Sequence, residues 1–227
     1  MHALKYIRYF LYLAYNWNMR IARHIIKHEI AGEKKYNIDT TGADELSSLD
    51  KKGIDISHAT IYMPASYDLM EDIFGRLVKG EQHHFIDIGC GKGRAMVVAA
   101  HFGFNKITGI DFSKELCKAA TENMEKVKKK FSSINYQVIN NDAFYYAIPK
   151  DADTIFLFNP FDDTIMAAVV NNIRESIKKN PRKITVIYLN PVHKHLFITA
   201  GFNEIYHTKK INYLEASILT ADKAMLK

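Results

Sequence analysis

Cysteine, proline and tryptophan are scarce in this chain of 227 residues, which holds two, five and one of them. Two cysteines, Cys90 and Cys117, cannot build the disulfide framework of a small secreted domain. They also make no metal-ligand spacing, so a reducing cytoplasmic setting is the expectation. Long apolar runs are missing too. The longest uncharged N-terminal run, Tyr9 to Met19, falls well short of the ~20 residues needed to span a bilayer. No short apolar segment with a small-residue cleavage site follows the start, so no secretory leader is predicted. Internal repeats and low-complexity tracts are absent. Hydrophobic residues, by contrast, make up 48% of the chain, which allows the core of one ordinary domain plus an appendage.

The net charge of +6 is unevenly placed. Residues 1–36 carry seven basic side chains and two acidic ones, whereas the remainder holds 24 basic and 23 acidic. A basic arm therefore precedes a nearly neutral body. The high isoelectric point argues for an acidic partner of the arm, not for a nucleic-acid-binding body. At helical periodicity, residues from about 3 to 30 read as one amphipathic helix. Ala3, Leu4, Ile7, Phe10, Leu11, Ala14, Trp17, Ile21, Ala22 and Ile25 share its apolar face, with Asn18 the single polar intruder. Lys5, Arg8, Arg20, Arg23 and Lys27 take the opposite face. Burial of the stripe against the body or a second copy of the chain is expected first. The alternatives are an anionic membrane surface, which would make the protein peripheral at the inner membrane, and nucleic acid.

Residues 36–82 divide into a polar, turn-rich linker and a helix over Tyr67 to Leu77, with Pro64 placed to begin it. From Phe85 onward strands and helices alternate. Strands are predicted at 84–88, 107–111, 135–140, 154–159 and 184–189, and helices at 93–102, 114–130, 163–178 and 193–200. Such repeats imply a parallel sheet covered on both faces. Two last strands, about 203–208 and 213–221, are joined by a short turn and must run antiparallel to each other. The expected division is arm 1–35, linker and preceding helix 36–82, and catalytic core 83–227.

The most informative stretch is Phe85-Ile86-Asp87-Ile88-Gly89-Cys90-Gly91-Lys92-Gly93-Arg94. A strand runs into a turn with glycine at alternate positions, and a helix opens directly after it. Glycine permits positive φ and close approach of a ligand to the backbone, and a strand, glycine turn and helix build a nucleotide-type site in an open α/β sheet. The third glycine comes two places after the second, which is closer than the usual dinucleotide spacing.

This acid-x-Gly-x-Gly-x-Gly form resembles motif I of class I S-adenosylmethionine (SAM) dependent methyltransferases. Three further strand ends, at Asp111-Phe112, Asn141-Asp142-Ala143 and Phe158-Asn159-Pro160-Phe161, fall in the family's order. The resemblance covers about residues 60–222. It is nearest to bacterial members with an Asp-x-Gly-x-Gly-Lys-Gly-Arg motif I, an Asn-Pro-Phe motif IV and a Tyr-x-Pro element, here Tyr62-Met63-Pro64. Lysine methyltransferases lacking a SET domain are more distantly similar.

The resemblance implies a Rossmann-like class I fold, with a seven-stranded, mostly parallel sheet and a reversed last strand. It implies SAM as cofactor, held by Asp87, Gly89, Cys90, Gly91, Gly93, Arg94, Asp111, Phe112, Asp142, Ala143, Asn159 and Tyr62. Asp111, 22 residues after Gly89, is the expected partner of the ribose hydroxyls and Asp142 of the adenine amino group. Asn159 and Pro160 would accept hydrogen bonds from a target –NH, and Phe161 would offer an apolar face to the sulfonium. The motif has one proline instead of the two found in nucleobase-methylating relatives.

The function read from these residues is methyl transfer to an amino nitrogen, on a protein lysine or a small amine. Nucleic-acid methylation, a non-catalytic SAM-binding module and an NAD-linked oxidoreductase are the alternatives. No metal site is expected. His83-His84 precede a strand without an acid at ligand spacing, and His193 and His195 lack a paired cysteine.

Overall fold

Strand-forming residues at the centre of the chain are almost wholly apolar, and this fixes their place. In the computed structural model, which describes residues 2–41, 64–77, 83–158, 161–211 and 214–225, β1 (His84–Ile88) is buried along its whole length. Parallel strands covered on both faces read as continuous apolar runs in this way. β2 (Lys106–Asp111) and β4 (Thr154–Phe158) flank it, with β3 (Asn135–Asn140) outside β2 and β5 (Ile184–Leu189) outside β4, all parallel. β7 (Leu214–Ala221) lies antiparallel to β5, and β6 (Asn203–Lys210) closes the edge antiparallel to β7. The order is β3-β2-β1-β4-β5-β7-β6. The edge strands β3 and β6 show the exposed residues that one-sided burial demands.

Alternation across the pleat sorts the core into two layers. Phe85 and Phe156 join Met70, Phe74 and Met96 on one face, whereas Ile86, Ile88, Ile155 and Leu157 meet Met166, Val170 and Ile173 on the other. Helices α4 (Arg94–His101), α5 (Lys114–Lys130), α6 (Asp163–Lys179) and α7 (Lys194–Thr199) follow β1, β2, β4 and β5. Ser113 caps α5 by accepting from the Leu116 N–H at 3.3 Å, and Asp162 caps α6 by accepting from Ile165 at 3.0 Å. Such side-chain acceptors satisfy amide donors that the first turn leaves open.

The arm departs from the single helix expected. It forms α1 (His2–Asn16) and α2 (Met19–Tyr36), packed against each other. Asn18, the polar intruder, is the N-cap of α2, its Oδ1 accepting from the Ile21 N–H at 2.9 Å. The fold-back also resets the buried face. Tyr9 and Leu13 pack with Ile21, Ala22 and Ile25, while Leu4, Ile7 and Leu11 of the expected stripe are 54–60% exposed. No described helix is long and apolar enough to cross a membrane.

Arg94, the first residue of α4, fastens the arm to the body. Its Nη1 donates to Glu29 Oε2 and to the Ala65 carbonyl, both at 2.8 Å, its Nη2 donates to Glu29 Oε1, and its Nε donates to Thr40 Oγ1 at 2.8 Å. The guanidinium lies 4.1 Å from the ring centre of Tyr67, at the start of α3 (Tyr67–Phe74). Glu33 accepts from the Thr40 N–H at 2.6 Å and pairs with Lys5 at 3.2 Å. Arg94, Glu29 and Glu33 are all buried. Gly32 lets α2 come this close: a Cβ there would fall 2.2 Å from the Tyr67 ring. These bonds join all three of the expected segments.

Removing one member of a buried charge pair strands the other, at a cost of about 3–5 kcal/mol. Glu29→Ala is therefore expected to lower stability by that amount. The measurement is the urea midpoint at constant m, and an unchanged midpoint would refute the anchoring role.

Candidate active site

The C-terminal edge of the sheet gathers the residues that sequence analysis singled out. β1 has β2 on one side and β4 on the other, so its end is where connections diverge and where open α/β sheets bind ligands. There the chain turns through Gly89, Gly91 and Gly93 at φ 79°, 52° and 78°, all in the left-handed region that glycine reaches without strain. Gly93 has a second reason to lack a side chain, because a Cβ would lie 3.1 Å from Ala120 on α5.

Asp111 ties this turn to β2. Its Oδ2 accepts from the Gly91 N–H at 2.8 Å and its Oδ1 from the Ser113 N–H at 2.9 Å. Both carboxylate oxygens therefore already hold backbone donors. Each oxygen retains a second lone pair, so a diol can still be accepted. Ser113 also serves as the α5 cap. The Gly89 and Cys90 N–H groups both donate to the Ile110 carbonyl, at 2.8 and 2.9 Å. Cys90 is itself buried, and burial pushes its thiol well up.

Asp87 lies beneath the turn, 2% exposed. Burial, with the nearby Asp111 charge added, pushes its carboxyl well above the usual carboxylate range. Burial also raises Asp111, although its two backbone donors pull the other way. Two acids are thus held close together out of water, which is unfavourable for both to ionise. A cationic ligand bearing vicinal hydroxyls supplies what this donor set lacks, so the residues fit SAM.

The remaining expected residues divide. Asp142 is exposed and its Oδ1 accepts from the Phe144 N–H at 2.8 Å, fixing the loop after β3, while Ala143 is buried and Phe112 half-buried. Arg94 points its side chain into the arm's carboxylates and is buried there. Phe161 packs with Ile88, Leu157 and Met166 in the core. Phe158, three residues earlier, faces a crevice. Tyr62, Asn159 and Pro160 lie outside the described residues.

That crevice, of about 50 Å³, opens between the arm and the ends of β4 and β5. Tyr9, Leu13, Trp17 and Ile25 of the arm face Phe158 and Leu189 across it, and Asn190 and Glu215 add polar groups. Sequence reasoning assigned none of the arm residues to a site. A one-helix reading cannot reveal them, because Tyr9 and Leu13 face inward only after the chain folds back.

The fold and the acidic glycine turn define a methyltransferase, and comparison with known proteins agrees. Residues 79–212, more than half of the chain, match the methyltransferase domain family, and the chain belongs to that family. It is an enzyme of the SAM-dependent class, with SAM as methyl donor. No curated protein sequence matches it. Among solved structures, the PH0226 protein from Pyrococcus horikoshii OT3 is similar with a TM-score of 0.52 at 16% identity, over 67% of this chain and 87% of that one. A ribosomal protein L11 methylase from Lactobacillus delbrueckii subsp. bulgaricus is similar with a TM-score of 0.50 at 14% identity, over 68% and 77%. The O-methyltransferase NcsB1 from neocarzinostatin biosynthesis, in complex with SAM and 2-hydroxy-5-methyl naphthoic acid, gives 0.52 at 17% identity, over 66% and 52%. The family match sets aside the NAD-linked reading.

The raised Asp87 carboxyl carries a pH signature. A group that holds its proton more tightly when folded stabilises the fold at low pH, and that contribution is lost as pH rises through the folded value. Asp87→Asn removes the buried charge, so the variant should unfold at a higher temperature than the parent at neutral pH. The parent should also lose more stability than the variant as pH rises above the ordinary carboxylate range toward and beyond neutrality. Thermal unfolding across that range, without ligand, checks both, and parallel pH profiles would refute the assignment.

Proposed function

We propose that this methyltransferase acts on an amino nitrogen carried by an acceptor with an apolar body, a protein lysine side chain or a small amine. The observation that carries this reading is the crevice at the ends of β4 and β5. Its walls are mainly apolar, and one of the lining residues, Phe158, leads directly into Asn159-Pro160. An apolar-walled crevice suits an alkyl stem and opposes a phosphate-bearing strand, as does the near-neutral body.

When bound, SAM supplies an electrophilic methyl group on a sulfonium. Asp87, below the glycine turn, favours the cofactor's ammonium, with water as an intermediary where the distance requires it. The Asp111 lone pairs left over by Gly91 and Ser113 accept the ribose hydroxyls, and Asp142 accepts from the adenine amino group. Asn159 and the Pro160 carbonyl would accept the N–H groups of the neutral acceptor amine, its ammonium proton first lost to solvent, and would turn the nitrogen lone pair toward the methyl. Alignment of this kind contributes up to about 7–11 kcal/mol. The arm residues over the crevice exclude water from the acceptor's apolar part.

Asp111→Ala should weaken SAM about ten- to a hundredfold by calorimetry, the cost of losing charge-assisted hydrogen bonds. Unchanged affinity would remove Asp111 from the cofactor site. Asn159→Ala should lower turnover far more than SAM affinity, and a parallel loss of both would make it a cofactor contact. The acceptor class is read by incubating the enzyme with labelled SAM and an extract lacking it. Label is expected in the protein or small-amine fraction, and label confined to nucleic acid would overturn the amine reading.

A further inference from the structure

His24 and His28 stand four residues apart on α2, so they share a face of that helix. Their rings are 4.5 Å apart. Asp68, in the first turn of α3, reaches across from the body and places Oδ2 3.1 Å from His24 Nε2. One ligating atom from each of the three lies within 4.8 Å of the others. All three side chains are half-buried, so solvent can complete a coordination sphere. Ser66 Oγ donates to the other carboxylate oxygen of Asp68 and fixes its orientation, the kind of outer hydrogen bond that steadies a ligating carboxylate.

We propose that His24, His28 and Asp68 form a binding site for a divalent transition-metal ion, zinc being the best match, that clamps the arm to the body. Two imidazoles and one carboxylate suit zinc, cobalt and nickel, and they discriminate against magnesium and calcium, which require oxygen donors. Distances of 2.0–2.2 Å from zinc to its ligands place ligating atoms roughly 3.3–3.5 Å apart in a tetrahedron. The His24–Asp68 separation of 3.1 Å is close to that already, and the His28 ligating atom lies within 4.8 Å of both. One basic neighbour competes: Lys210 Nζ lies 3.6 Å from Asp68 Oδ2. It is also within 3.5 Å of Asp72 Oδ2 and donates to the Asp68 carbonyl at 3.1 Å. Lys210 therefore keeps partners when a metal takes Asp68. The site joins the helix that holds Glu29 and Glu33 to the segment whose Ser66 and Leu69 line the crevice. Its loading is independent of which acceptor the enzyme methylates.

The test uses the untagged full chain, freed of metal by chelation. Zinc chloride titrated by calorimetry should bind at one ion per chain and raise the unfolding temperature. Cobalt(II) at the same stoichiometry should give the visible absorption of a low-coordinate nitrogen and oxygen site. His28→Ala, at a half-exposed position, should fold as the parent does. It should bind zinc at least about tenfold more weakly and lose the thermal shift, whereas His193→Ala should match the parent. The proposal is overturned if the parent binds no zinc at micromolar concentration, if His28→Ala binds as the parent does, or if magnesium gives the same thermal shift.

Discussion

One buried guanidinium sets the arrangement of everything around the glycine turn. Arg94 sits where the turn becomes α4, and its donors reach Glu29, Thr40 and the Ala65 carbonyl, with the Tyr67 ring beneath it. A buried ion pair adds little net stability over a well-packed apolar alternative, because desolvation consumes the Coulombic gain. Its geometric effect is larger. A planar fork gripping one carboxylate through two bonds admits few orientations, so α2 has a defined angle over the body. That angle puts Tyr9, Leu13 and Ile25 across from Phe158 and Leu189.

The same corner holds two carboxyls under opposite demands. Asp111 has both oxygens fixed by backbone donors, which makes it part of the turn's framework as well as a ligand group. Asp87 is deeper and is kept toward its neutral form by burial and by Asp111. A site that is electrostatically uncomfortable when empty gains more from a cation than a relaxed one does. The strain of holding the acids is offset by the packing of the central strands, each buried on both faces.

Local signals carried most of the architecture. β1, β3 and β5 occupy the predicted 84–88, 135–140 and 184–189, and α5 starts after its serine cap. The glycine turn was legible because its conformation restricts residue type. The arm was misread for a physical reason. A helical periodicity of 3.6 residues continues through Trp17 and Asn18, and nothing in that pattern marks a reversal except Asn18 itself, a residue at home in caps. Once the chain folds back, a different face turns inward, and Leu4, Ile7 and Leu11 are left in solvent. The directions of the Arg94 and Phe161 side chains were not legible, because motif position specifies the backbone and leaves open which way a side chain points. The His24-x-x-x-His28 spacing was visible, but its third member, Asp68, is 40 residues further on and is brought near only by the packing of α2 on α3.

The Glu29–Arg94 contact spans 65 residues. Contacts between distant parts of a chain form late, because loop-closure entropy must be overcome first. Glu29 on α2 has its buried cation only where β1 and the turn that follows it are assembled, so the placement of the arm is tied to the cofactor corner. Loss of that corner would leave the arm's inner face, and the crevice it roofs, without a partner.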